Sequence, residues 1–429
     1  IVSINVVQSN LEAAKTKIKS LKLSIRLRDL FLSESTIVYV TNNATLTIEP
    51  GTVIRGDDKT CGTLVITNGA KIMAEGLETD PIIFTSENEI NNRKPGDWGG
   101  IILLGKGSFN INGGVNYIEG IAQSADTHYG GGASPDDNDN SGTLKYVRIE
   151  FAGIAADPNS EINGLTLGGV GSGTVIENVQ VSYGNDDSYE FFGGTVNCKN
   201  LIAFATADDD FDFDFGYNGR IQFAVSLRDP KFVDGGDAGN GIECDNDGTG
   251  TVAGPRTRPQ LSNFTFVGPN GADGTLANHN FTTRFRRSTQ FSLTNSILIG
   301  YMDAGFQFES DSTAAAYIDG RSRFRHNLVH GVVEPYKVSS TSLINAATVK
   351  TKAEGVDSCK TYASANDVML ENPFNLTAPN FLPKAGSPAL SGASFFGLSG
   401  FTTTTYIGAF GTTNWMQGWT SFTPQTNVY

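Results

Sequence analysis

Cysteine, histidine and proline are all scarce in this chain: four, four and 15 among 429 residues. The cysteines, Cys61, Cys198, Cys244 and Cys359, form no Cys-x-x-Cys pair. That sets aside zinc ribbons and disulfide-dense scaffolds and leaves buried thiols or one structural bridge. The histidines, His128, His279, His326 and His330, are scattered, with no His-Glu-x-x-His motif. With no Gly-x-Ser-x-Gly elbow either, zinc-protease and α/β-hydrolase chemistry have no residues to use. No apolar run approaches the 18 or so residues of a membrane-spanning helix. Positive charge is short as well: 31 Lys and Arg against 45 Asp and Glu give a net charge of −14. Phosphate backbones would be repelled, which argues against nucleic acid and suits cations or neutral partners. There is no signal segment and no initiating methionine, so a chain beginning at Ile1 is expected to be processed or truncated.

Glycine is abundant, at 50 residues without a collagen-like period, and so is internal repetition. Residues 177–194 (ENVQVSYGNDDSYEFFGG) and 199–216 (KNLIAFATADDDFDFDFG) superpose without a gap. Asp186 falls on Asp208, Asp187 on Asp209, Tyr189 on Phe211, Glu190 on Asp212 and Phe191 on Phe213. A strand alternates faces, so the aromatic rings point one way and Glu190, Asp212 and Asp214 the other. The same grammar returns in Ile242-Glu243-Cys244-Asp245 and Phe306-Gln307-Phe308-Glu309. A repeated coil of this length is a solenoid unit. The expected fold is all-β: a right-handed, single-stranded parallel β-helix with terminal caps, an aromatic interior ladder and an exterior carboxylate stripe.

The coils are expected over residues 36–340. Ala44 to Ile54 reads as strand, Pro50-Gly51 corner and strand, and Gly62 to Ile72 repeats it with Asn68-Gly69 at the corner. Polar insertions interrupt the coils near 120–142 and 235–258. Residues 1–35 read as an N-terminal cap or extension, in which Leu11, Ala14, Ile18 and Leu21 among lysines predict a short amphipathic helix. Residues 341–429 read as a C-terminal coil or cap segment whose aromatic tail, Trp415, Trp419 and Phe422, is expected to cover the second open end.

Several segments carry a family resemblance: ATLTIEPGTVIRG (44–56), GTLVITNGAKIMAEG (62–76), PIIFTS (81–86), GDWGGIILLG (96–105), EINGLTLGGVGSG (161–173) and YIGAF (406–410). They resemble a family of secreted or outer-surface parallel β-helix proteins common in Bacteroidota, over roughly residues 37–429. The resemblance implies the solenoid fold and an extracellular or outer-surface location, often with a lipidated N-terminal cysteine. It brings no catalytic residues to carry over.

Chemistry concentrates in the acidic stripe. Asp186, Asp187, Asp208, Asp209 and Asp210 sit at the corner before the aromatic strand, and Glu190, Asp212, Asp214, Glu243, Asp245 and Glu309 along its outer face. Adjacent coils lie about 4.8 Å apart, so stacked carboxylates need protons, cations or basic partners. Ca2+ suits such oxygen-rich sites. The competing expectation is a salt-bridge ladder with Arg220, Arg228 and Arg256. Two loops add oxygens, one with Asp137 and Asp139 and one with Asp245 and Asp247, although the first has Arg148 where an EF-hand has glutamate. If the chain is an enzyme, Asp186 and Asp187 against Asp208 and Asp209 supply the carboxylate pair of a hydrolase, and Arg228 or Arg220 the base of a lyase. The His-Gly and Arg-x-Lys elements of polygalacturonase-like enzymes are missing. Arg284, Arg286, Arg287, Arg321, Arg323 and Arg325 form a basic patch that either neutralises neighbouring acids or binds an anionic glycan or partner surface.

These features predict a non-catalytic, calcium-stabilised extracellular protein that binds glycan or a cell-envelope protein, or self-associates. A polysaccharide lyase or glycoside hydrolase using the cluster from Asp186 to Asp214, and a surface-layer or filament subunit, are the alternatives.

Overall fold

A computed structural model of the chain describes residues 37–429 apart from 58, 60, 158 and 159, and before them the strands Lys15–Ile18, Leu23–Ile25 and Asp29–Phe31. The chain divides into two compact units, one of residues 1–196 with 416–429 and one of residues 197–415.

In the first unit, Lys15–Ile18, Ile37–Val40, Thr63–Ile66, Gly100–Leu104, Leu165–Gly168 and Tyr189–Phe192 stack in that order as parallel strands. A second sheet runs Leu23–Ile25, Thr45–Ile48, Lys71–Glu75, Gly142–Glu150 and Val175–Ser182. Consecutive coils place like on like: Val40, Ile66, Leu103, Leu167 and Phe191 share one register row and are at most 1% exposed. No single short strand could bury its apolar side alone, and the stack supplies that cover. At the predicted Pro50-Gly51 corner Gly51 has φ of 75°, the left-handed value that the third position of a type II turn requires.

In the second unit, Phe211–Asp214, Glu243–Cys244, Arg284–Phe285, Ala304–Glu309 and Glu334–Ser339 form one parallel sheet. Phe213, Cys244, Phe285 and Phe308 share a register row, and all four are fully buried. The companion sheet runs Asn197–Phe204, Arg220–Leu227, Gln260–Val267, then the strand pairs Ser292–Thr294 with Ile297–Tyr301 and Arg323–Arg325 with Leu328–Gly331, and finally Lys360–Thr361. The helix Ala346–Gly355, capped by Asn345 on the Thr348 N–H at 2.9 Å, packs on Glu334–Ser339 with Val349 and Ala353 buried. The parallel β-helix expected from the repeat is therefore present in both units.

Two expectations change. Where the chain before residue 37 is described it is strand, so Lys15–Ile18 replaces part of the helix expected over residues 11–22; residues 1–14 and 19–22 lie outside the described residues. An open parallel edge offers a row of backbone partners, whereas a helix this short is marginal by itself. The aromatic tail, expected over an open end, runs along the coils. Ser421 exchanges two hydrogen bonds with Gln180 at 2.6 and 2.9 Å in the first unit, and Thr402 exchanges two with Gln222 at 2.7 and 2.8 Å in the second. Buried amides at the coil surface must be satisfied, and the tail's backbone satisfies them.

A bend recurs in these coils. Tyr146 and Asn178 in the first unit, and Asn200, Phe223, Asn263, Asn295 and His326 in the second, all have φ between 49° and 63°. Pairing resumes on both sides of the bend, as in Lys145 with Glu177 and Val147 with Val179. Asparagine tolerates this left-handed backbone better than other side chains do.

Candidate functional site

The second-unit sheet separates its two faces as the alternation predicts. Phe211 and Phe213 are fully buried, while Asp212 and Asp214, which alternate with them, are partly exposed. On the outward side Asp212 lies beside Glu243, Glu243 beside Arg284, and Arg284 beside Gln307. Arginine thus enters the carboxylate row from a neighbouring coil. Arg284 bonds Glu243 at 3.2 Å and Glu309 at 3.1 Å. Arg286 bonds Asp245 at 3.0 Å and also Glu243, and Arg287 bonds Asp245 at 2.8 Å. Burial works against the Arg286 charge, but Glu243 and then Asp245 more than restore it and raise its pKa. Among the described residues no arginine is ion-paired with Asp214. Burial, and then the charges of Asp245, Asp247 and Glu243, push its pKa up to about 8, against the pull of the Phe215 N–H.

Of the arginines expected as partners of these acids, Arg228 meets one, but in the interior and not on the outer face. Arg228 is 1% exposed and bonds Asp210 at 3.1 Å; Asp210 also accepts hydrogen bonds from Ser226 and Tyr301. Asp210 and Arg228 therefore form an interior ion pair with its polar neighbours, closed to a metal at the surface and to a polymer, and Arg228 is not an accessible base. Arg256 bonds the Ser288 carbonyl and the Ser312 hydroxyl. Asp209 is 4% exposed, accepts from the Asn240 N–H at 2.6 Å, and has its pKa pushed well up by burial and then by Asp208. The Asp208 carbonyl accepts from Arg228 at 2.6 Å.

In the first unit Asp186 is partly exposed and Asp187 is buried. Glu190 stands beside Thr166 in register and accepts from the Asn163 amide. The two oxygen-rich loops spend their carboxylates on their own surroundings. Asp137 accepts from the Ser108 N–H and hydroxyl, both at 2.8 Å, and Asp139 from the Lys106 N–H at 3.1 Å. Asp247 accepts from the N–H and hydroxyl of both Thr249 and Thr251, which outweighs burial and holds its pKa down to about 2. The Asp247 loop is thus a side-chain-closed turn, whereas Asp137 and Asp139 tie their loop to the segment at Lys106 and Ser108.

Beside the arginines of the second unit opens a cleft of about 480 Å³ lined by Arg284, Arg286, Arg287, Glu309, Ser288 and Ser310. The sequence expectation that Arg284, Arg286 and Arg287 neutralise neighbouring acids is met at Glu243, Asp245 and Glu309, but the individual pairs were not legible, because a whole coil with its strand Gln260–Val267 separates Glu243 from Arg284. The four cysteines are free thiols, and Cys244 faces inward as expected. His279 is fully buried; burial, and then the Arg228 charge, push its pKa down to about 3, so it is neutral. Among the described residues no helix is long and apolar enough to cross a membrane.

A family model described as a pectate-lyase-like β-helix domain matches residues 31–420. No curated protein matches the chain. Among solved structures, the crystal structure of pectate lyase Pel9A aligns over 87% of each chain at 11% identity with a TM-score of 0.42. On the strength of the match over residues 31–420, the chain belongs to the pectate-lyase-like β-helix domain family.

Proposed function

We propose that the outward face of the second unit binds polysaccharide without cutting it. The observation that carries this reading is the cleft of about 480 Å³ beside the acid–arginine network. Its size falls within the range of small-ligand sites. Its guanidinium donors, carboxylate acceptors and serine hydroxyls match the hydroxyl groups of sugars, while the rings of this sheet face inward, so hydrogen bonds rather than stacking would hold the chain. Arg284, Arg286 and Arg287 are each engaged by a carboxylate. None is a free base for abstracting a proton from a uronate, which favours binding over elimination.

Calcium at the stripe carboxylates of each unit, and an extracellular or outer-surface setting, belong to the same proposal. Hydrolysis is the second reading, favoured by Asp214, whose raised pKa keeps it protonated at neutral pH as a general acid requires. Titration calorimetry with neutral and uronate oligosaccharides, run alongside assays for reducing ends and unsaturated products, separates the readings. Binding that Arg287→Ala weakens, without products, is the expected result. Products abolished by Asp214→Asn would replace binding with hydrolysis, and unsaturated products would restore the lyase. A chelator should lower the melting temperature; no shift would remove calcium, and light scattering that grows with concentration would favour self-assembly.

A further inference from the structure

The basic patch seen in the sequence divides into two chemically different sets. Arg284, Arg286 and Arg287 meet the acids of the outward face. Arg321 bonds Asp319 at 2.7 Å and Arg325 bonds Asp357 at 3.3 Å. Arg323 has no carboxylate partner among the described residues; its Nη1 donates to the Gly397 carbonyl at 2.6 Å. Arg220 and Arg258 have no carboxylate partner either, and the Arg258 Nε is buried without a hydrogen bond. Burial, and then the Arg323 charge, push the Arg258 pKa down. Guanidiniums crowded this way without an acid are unusual in a chain of net charge −14, and each raises the cost of the other.

Their placement is ordered. Arg220, Gln260, Ser292 and Arg323 occupy one register row of the companion sheet, and Arg258 precedes that row by two residues on the same strand side. The segment 394–400 crosses this row: Gly397 caps Arg323, and Gly400 lies against Arg220 so closely that a Cβ would stand 2.6 Å from its Nε. Under the segment is a cleft of about 110 Å³ lined by Arg323, Arg325, His326, Thr294, Ser394 and Phe396. That volume is below the range of sites for whole small ligands and suits a single charged substituent. At its rim Phe396 is 90% exposed, the most exposed large apolar side chain among the described residues.

We propose that this cleft holds an oxyanion, the sulfate ester or uronate carboxylate of an acidic polysaccharide, between Arg323, Arg325 and the Ser394 hydroxyl, with the sugar ring against Phe396. Guanidinium forks match both groups and gain from burial. The site lies on a different sheet from the cleft assigned to sugar hydroxyls and does not depend on that reading.

The test is titration of the intact chain with inorganic sulfate and with sulfated, uronate-containing and neutral disaccharides. The charged sugars should bind at least about tenfold more tightly than the neutral one, and Arg323→Gln should remove most of that difference. Phe396→Ala should weaken the disaccharides and leave inorganic sulfate unchanged. Preference between the sulfated and uronate sugars identifies the substituent. Equal affinity for charged and neutral sugars, or charged-sugar binding indifferent to both Arg323→Gln and Phe396→Ala, overturns the proposal. Phe396 is at the surface, so its variant reports even if an arginine variant folds poorly.

Discussion

Arg286 presents its Nε to both oxygens of Asp245, at 3.0 and 3.1 Å, while its other arm reaches Glu243. One guanidinium thus serves two carboxylates, and its side chain is only 14% exposed against 13% and 5% for theirs. Removing it in Arg286→Ala leaves two mostly buried acids short of a partner, a loss of about 2–4 kcal/mol. Arg321→Ala removes an exposed pair and should cost less than about 0.5 kcal/mol. Urea denaturation of both variants checks the contrast; equal losses would mean the outward network is no more than a solvated charge face.

Asp214 sets a pH dependence whose sign follows from its environment. Its folded pKa of about 8 lies above the ordinary 3.8, so the folded state binds this proton more tightly than the unfolded chain does. The stability is complete below about pH 4 and is lost as the pH rises through 8. Melting temperature should fall over that interval, and Asp214→Asn should flatten the fall. A variant that keeps the wild-type slope would place the titrating group elsewhere.

The interior was legible because its signal is local. Tyr189 and Phe191 superpose on Phe211 and Phe213 within one short stretch, strand alternation assigns their direction, and all four rings are buried. The outward charges were not legible to the same extent, because their solution comes from another coil. Glu243 meets Arg284 only after a further coil, with the strand Gln260–Val267, has been wound, and nothing near Glu243 in sequence announces it. Arg228 shows the converse: near the acids in sequence, it turns into the interior to meet Asp210. The recurring bend left a faint trace in Asn178, Asn200, Asn263 and Asn295, whose uneven spacing, set by insertions of different length, hides their equivalence.

Tyr429 donates to Glu150, at 2.7 and 2.8 Å from its two oxygens, and its ring faces the guanidiniums of Arg93 and Arg148. Burial pushes the Glu150 pKa up, and Arg148 and then Tyr429 draw it back. Tyr429→Phe removes one of those restraints, so the folded pKa rises further and the variant loses more stability at high pH than at low pH. The loss at pH 8 should be about 1–3 kcal/mol. Denaturation at pH 5 and pH 8 decides it: an equal loss at both would assign the hydroxyl to packing alone.

Asn263 combines both burdens of the bend. Its backbone has φ of 59°, its side chain is buried, and its amide donates to Thr404 Oγ1, Tyr406 O and Gly408 O, each at 3.2 Å, while its Oδ1 accepts from Gln222 at 3.0 Å. Asn263→Gly keeps the left-handed backbone and loses the amide, which should cost about 2–3 kcal/mol and loosen the segment 402–408. Asn263→Ala loses the amide and adds a Cβ penalty, so it should be about 1 kcal/mol less stable than the glycine variant despite the entropy that glycine costs. Hydrogen exchange at 402–408 separates the two effects: both variants should open the tail equally, while only the alanine variant further destabilises Gln260–Val267. An alanine variant as stable as the glycine one would show that the amide alone, and not the backbone conformation, selects asparagine at this corner.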